Sequence, residues 1–255
     1  MARWSEAIGS ERRPAVPSQA EPAQHVGIVA VSPEGAAVTY RQFHRLATQL
    51  TMPGNRPAVT MHGEPFEQYL TAIAEQDWET VGNLLRQSAE CLASAGADFC
   101  LTPDHVVQHA VQMAETGCSI PWLTMAQLLA NKVGEDGRER VGILGTRLVT
   151  NGSAYQTHLG LKGVKVMTPS PEEVDEVDAI IFQELVLGEA REASRKRLAG
   201  VIERLADRGA EAIILGSSEV PLLISQATCP LPLYDPGEIQ VQTAVRMAAE
   251  PKNAD

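Results

Sequence analysis

The 255-residue chain, with 44% hydrophobic side chains, holds enough apolar material for one large domain or for two lobes of ordinary size. Its formal net charge of −11 and pI near 5.1 disfavour nucleic acid and anionic membranes as partners, because phosphates are gripped by clustered Lys and Arg. Cys91, Cys100, Cys118 and Cys229 form no CxxC pair, so neither zinc nor a disulfide framework is expected, which fits a reducing, cytoplasmic setting.

Residues 1–24, "MARWSEAIGSERRPAVPSQAEPAQ", are rich in Pro, Ser, Ala and charge without a sustained period, and read as a disordered leader. They lack the apolar core of a signal peptide, and no later run reaches the roughly 18 apolar residues that span a bilayer. The fold begins near His25. "HVGIVAVSP" predicts a strand broken by Pro33, and "AAVTYRQFHRLATQL" a helix. "RPAVTMHGEPF" predicts a second strand and polar loop, and residues 75–95 an amphipathic helix. Strand "ADFCLTP" leads into a helix over 105–116, then a short strand "IPWLTM" and another helix.

From "RVGILGTR" the pattern restarts with a strand, a helix near Ser153, strand "VKVMTP" and a long helix over 188–208. Strand "EAIILG", loop "SSEV", "LPLYDP" and a closing helix follow. This alternation predicts an α/β fold with mostly parallel sheets flanked by helices. The segments "SAGAD" before "FCLTP" and "DRGAE" before "AIILGSS" are alike, so two pseudo-symmetric lobes with an interlobe cleft are expected. The expected division is 25–131 plus 233–250 for the first lobe and 132–232 for the second, with the loops at 103–106 and 216–219 facing each other.

Several stretches together resemble the aspartate/glutamate racemase superfamily: "VTMHGEPF", "VGILGTR" with Tyr155, "IIFQELVLGEAREASRKRL", and "AIILGSSEVPLLI" before "LPLYD". The likeness runs from about residue 25 to residue 247. It implies a cofactor-independent, metal-free enzyme acting between two lobes on a small carboxylate or amino-acid-like substrate, and is compatible with a homodimer. Family racemases use a thiol from a "CNTAH"-like loop, where some members carry Thr, and one from a "GCTELPLL"-like loop. Matched without gaps, the first motif falls on Asp104, His105, Val106, Val107 and Gln108, and "GCTE" falls on Gly216, Ser217, Ser218 and Glu219. Both thiols are absent. The family's "GGMGPEAT" is "AVSPEGAA" here, and the second threonine of its "GTxxT" pattern is Val149.

Without the thiols, two-sided racemisation is not expected, since a serine hydroxyl alone is no base for a carbon acid. Asp104, if burial raises its pKa, or His105, which titrates near neutrality, supplies the base, and Ser217 a hydrogen bond or a nucleophile. His62, Thr146, Tyr155, Ser218 and Glu219 are the candidate substrate contacts. The expected chemistry is isomerase or lyase work, including cyclisation or decarboxylation, with biosynthesis as the expected setting. A Ser/His hydrolase and an inactive ligand-binding homologue are the alternatives. The same residues have structural readings: Asp104 as a helix N-cap, His105 as a solvated first-turn residue, Ser217 and Ser218 as caps, His62 as a loop residue and Cys100 as core.

Overall fold

The computed structural model describes residues 23–51 and 55–250. Residues 1–22 of the expected leader lie outside that range. Gln24 belongs to the folded part: its backbone N–H donates to Ala248 O at 2.9 Å and its Nε2 to Met247 O at 3.1 Å.

Two parallel sheets form the frame. In the first, β1 (Val26–Val29) lies between β2 (Val59–His62) and β3 (Phe99–Leu101), and a bridge from Cys100 to Trp122 extends the outer side of β3. In the second, β4 (Arg140–Gly145) lies between β5 (Lys165–Met167) and β6 (Ala212–Gly216), and β7 (Leu233–Tyr234) extends β6. β1, β3, β4 and β6 are apolar and almost wholly buried, as parallel strands covered on both faces must be.

The helices are α1 (Pro33–Leu50), α2 (Phe66–Ala74), α3 (Trp78–Ser94), α4 (Gln108–Glu115) and α5 (Met125–Glu135) in the first half. The second half has α6 (Arg147–Thr150), α7 (Ala154–Gly160), α8 (Pro171–Gln183), α9 (Glu192–Asp207) and α10 (Pro236–Ala249). The halves repeat in detail. α3 and α9 both end at a glycine with positive φ, Gly96 at 91° and Gly209 at 97°, a conformation that side chains with a Cβ rarely adopt. An acid two residues later then ties down the start of the central strand: Asp98 accepts from His25 N at 2.7 Å and Glu211 from Glu139 N at 3.0 Å.

The structure corrects several expectations. α2 was not predicted, and "IPWLTM" contributes a single bridge instead of a strand. The long helix expected over 188–208 is only α9, and the run before it is a separate helix, α8, opened by a capping box between Ser170 and Glu173. Between them a 3₁₀ turn, Leu185–Leu187, and left-handed Gly188 reverse the chain. Buried Glu184 accepts from Ser194 Oγ at 2.5 Å and draws Arg191 and Arg197 around the corner. The second sheet extends past the expected boundary at 232 to Tyr234, and α5, expected in the first lobe up to 131, packs in the cluster with Val141, Ile143 and Ile214. α10 returns to the first sheet, with Val241, Ala244, Val245 and Ala248 packed against Val26, Ile28 and Leu101.

At the carboxyl ends of β4 and β6 the backbones nearly touch: a Cβ on Gly145 would sit 2.6 Å from Gly216 O. Gly145→Ala therefore forces two paired strand ends apart and should cost about 1–3 kcal/mol in denaturant unfolding. Gly134→Ala, in α5 with its nearest neighbour 3.8 Å away on Lys162, should instead be neutral or stabilising by about 0.5–1 kcal/mol. Equal effects at the two glycines would contradict the close approach.

Candidate active site

The strand register places the site. Val26 pairs with Phe99 and Val141 with Ala212, and five residues beyond Phe99 and Ala212 stand Asp104 and Ser217. They are equivalent positions in the two halves, each just past the carboxyl end of an inner strand, where open α/β sheets place their ligands.

Asp104 does not cap the helix that follows it. α4 starts at Gln108, and its N-cap is Val107, without a side-chain bond. The carboxylate reaches back to the first loop, where Oδ2 accepts from Ser32 N at 3.2 Å, while Ser32 Oγ accepts from Gly35 N at 3.2 Å to cap α1. Burial pushes the Asp104 carboxyl up to about 6, the bonds from Ser32 oppose it, and the charge of Glu219 adds to it. That influence joins the two loops electrostatically across the lobes.

His105 faces elsewhere. It is 7% exposed, and its Nδ1 lies 2.9 Å from the hydroxyl of Tyr155, which is also 3.1 Å from Met125 Sδ. Burial lowers the imidazole to about 4, so it is neutral at physiological pH. The solvated reading of His105 is thereby overturned. So is Tyr155 as a cleft contact: it is 2% exposed, sits in the core beside Leu159 and Ile143, and joins the first-lobe loop to α7.

In the second loop, buried Ser217 donates to Glu219 Oε2 and accepts from Glu219 N at 3.2 Å, so the pair shapes its own turn. Ser218 is exposed and Glu219 half-buried. Thr146 is buried as the N-cap of α6, accepting from Val149 N at 3.4 Å, and Thr150 Oγ1 donates to Gly145 O at 3.2 Å. His62 ends β2 half-buried, its Nδ1 3.1 Å from Ser88 Oγ. Ser217 and Glu219 thus share one turn, and the charge of Glu219 reaches Asp104, whereas His105 and Tyr155 form a separate contact.

Sequence reasoning missed Ser32 and Tyr69. The Ser32-Pro33 pair is a readable helix start, but its bond to Asp104 spans 72 residues. Tyr69 is fully buried on α2, and its hydroxyl is pushed up to about 12 by burial, offset by Ser88 and reinforced by Glu64 and Asp104. It stays protonated beside the carboxylates. Among the described residues no ion pair involves Asp104, Glu64 or Glu219, and no group of three or more His, Cys, Asp or Glu is arranged to hold a metal. No helix among them is long and apolar enough to cross a membrane. A cavity of about 660 Å³ between α4, α5 and α7 is lined by Gln108, His109 and Ser153 among others, but by neither Asp104 nor Ser217.

A sequence model of the Asp/Glu/Hydantoin racemase family matches residues 28–244. The chain belongs to that family. A candidate Asp/Glu racemase from Yersinia pestis is 28% identical, with a TM-score of 0.83 over 89% of this chain and 100% of that one. An aspartate racemase homologue from Pyrococcus horikoshii OT3 is 23% identical with a TM-score of 0.80 over the same shares. The glutamate racemase of Francisella tularensis, solved with D-glutamate, is 13% identical with a TM-score of 0.64, covering 88% of this chain and 81% of its own. Within this two-lobed racemase fold, Cys100 and Cys229 are buried, Cys118 is half-buried and Cys91 is exposed.

Two neighbouring residues give folding a compensated pH dependence. Asp104 has its folded pKa raised to about 6, so between about 4 and 6 the native state holds the extra proton and acidification stabilises it. His105 has its folded pKa lowered to about 4, so the unfolded state holds the extra proton and acidification destabilises the fold through nearly the same window. Unfolding titrations from pH 6.5 to 4 should show Asp104→Asn steepening the loss of stability on acidification relative to the wild type, and His105→Gln reducing it. Parallel curves for all three proteins would refute the assignment.

Proposed function

We propose that this racemase-family chain is a cofactor-independent acid/base enzyme that moves a proton at carbon on a small carboxylate or amino-acid-like substrate held between the lobes. Asp104 acts as the base, and Ser217, whose one hydrogen goes to Glu219 in the free protein, turns it to the substrate when substrate binds. The observation that carries this reading is the half-buried Asp104 carboxyl, pushed up to about 6 by desolvation at the strand end equivalent to Ser217. A carboxylate so tuned is ionised at neutral pH yet more basic than a solvated one, as proton abstraction from carbon requires.

Asp104 and Ser217 take the places where the family's motifs carry thiols. A one-base reaction follows, in which Asp104 removes a proton and the charge that develops on the substrate carboxylate is met by hydrogen bonds. Isomerase or lyase chemistry, including cyclisation and decarboxylation, fits one base better than racemisation between two. His62, Thr146 and Ser218 surround the loops and are assigned to substrate contact. His105, bonded to Tyr155, is assigned to holding the Asp104 loop. The Ser/His hydrolase reading is disfavoured, because the Ser217 hydroxyl engages Glu219 and the His105 ring engages Tyr155.

The test is deuterium incorporation at Cα in heavy water, followed by proton NMR across small amino acids and α-substituted carboxylates. Exchange should rise with pH through about 6 and then level off, because the ionised form of Asp104 is the active one. Asp104→Asn should lower it by about a hundredfold or more without unfolding the protein. Exchange that persists in Asp104→Asn would remove the carboxylate as base, and none in the wild type would favour an inactive ligand-binding homologue. Iodoacetamide should label Cys91 first and leave exchange unchanged, since the cysteines lie outside both loops.

A further inference from the structure

Gln108 makes two contacts with the loop that carries Asp104. It opens α4 and is 4% exposed, and its carboxamide turns back along the chain: Nε2 donates to Asp104 O at 3.1 Å and to Thr102 O at 3.4 Å. Both partners are carbonyls, which only accept, so the nitrogen must face them. Oε1 is buried without a hydrogen-bond partner. A buried amide with one end unsatisfied carries a cost that a space-filling side chain would avoid.

The two bonds tie the first turn of α4 to Thr102, one residue past the end of β3, and α4 has no side-chain cap that could do so. Asp104 is thereby held at two points, its carbonyl by Gln108 and its carboxylate by Ser32 N at 3.2 Å. That carboxylate lies against the first turn of α1, since a Cβ on Gly35 would sit 3.8 and 3.9 Å from its two oxygens. The helix behind Gln108 is itself anchored. The next residue, His109, has Nδ1 3.0 Å from Ser153 Oγ in the other half, and its ring stands edge-on to Trp78 with centroids 5.1 Å apart. A side chain on an anchored helix holds a loop more precisely than another loop residue could.

We propose that Gln108 is a positioning residue, whose carboxamide fixes the backbone of residues 102–104 so that the Asp104 carboxylate stays against α1 and shielded from water. This rests on the reading of Asp104 as the base. Matched to "CNTAH", the chain departs at its first residue, Asp104, and at its last, Gln108, and these two departures meet in one hydrogen bond.

Three variants separate positioning from bulk. Gln108→Met keeps the volume and removes the donor. Gln108→Ala also opens space, toward the cavity of about 660 Å³ that Gln108 borders. Gln240→Met repeats the exchange at another buried glutamine, whose Nε2 donates to Leu123 O at 2.8 Å and whose Oε1 likewise lacks a partner. Carbon-13 NMR follows the titration of the Asp104 carboxyl in each protein, over the pH range in which circular dichroism shows it folded. From about 6 in the wild type, the midpoint should fall by about one unit or more in both Gln108 variants, because a freed loop lets water reach the carboxylate and desolvation is the largest influence on it. The charge of Glu219, which also raises it, is unchanged in all three. Gln240→Met should leave the midpoint where it was. Deuterium exchange at Cα should drop about tenfold or more in both Gln108 variants and hold steady in Gln240→Met. A midpoint lowered in Gln108→Ala and unmoved in Gln108→Met would make Gln108 a spacer and overturn the proposal. So would a midpoint unmoved in both, one shifted equally by Gln240→Met, or a wild-type midpoint already at the ordinary carboxylate value. A wild type without exchange would remove the base, while the NMR titration still decides what Gln108 does.

Discussion

Parallel pairing of inner strands in a shared register is the constraint on which the site depends. β1 with β3 and β4 with β6 start their pairing at equivalent residues, which puts Asp104 and Ser217 at the same count along their chains from that start. These strands are buried on both faces, so a slip of one residue would set each apolar side chain into packing shaped for its neighbour on the other face. The tolerance for error is therefore small. Asp104 and Ser217 hold equivalent positions because the apolar strands beneath them pair in the same register.

The loop after β3 solves a second problem, that of placing two ionisable residues in succession inside a protein. Their side chains diverge: one carboxylate returns to the start of α1, and one imidazole crosses to α7 in the other half. Each is hydrogen-bonded and each is pushed toward its neutral form by burial, Asp104 upward and His105 downward. Among the described residues no cation pairs with Asp104 to restore it to the ordinary carboxylate range, and the charge of Glu219 raises it further. That arrangement costs the isolated protein stability, and sites that bind or react commonly carry such a cost.

Much of the frame was legible in the sequence because apolar strands and helix stops are local signals. The segments "SAGAD" and "DRGAE" announced the repeat through the glycine that ends each helix and the acid that follows. The failures were of other kinds. The run from Ile180 to Leu198 is helix-forming apart from Gly188, and it breaks there, at a left-handed turn, beside a carboxylate at Glu184 that finds Ser194 only after folding. Trp122 bridges Cys100 through backbone geometry that composition does not encode. For the site, the loop positions and Glu219 were readable from the motif. The buried contact between His105 and Tyr155 joins residues 50 apart, and the link from Ser32 to Asp104 spans 72; neither has a local signature.

The clasp between Gln24 and the end of α10 bears on how the molecule carries load. Two hydrogen bonds join residue 24 to residues 247 and 248, so the two ends of the described residues meet beside the first sheet. A pull applied to those ends is taken up by this short clasp and by the packing of α10 on α1 and β1, all within one half of the molecule. The sheet of the other half, with Ser217 past the end of β6, lies off that line of force. A tether at either end can therefore strain the anchor without prying open the cleft.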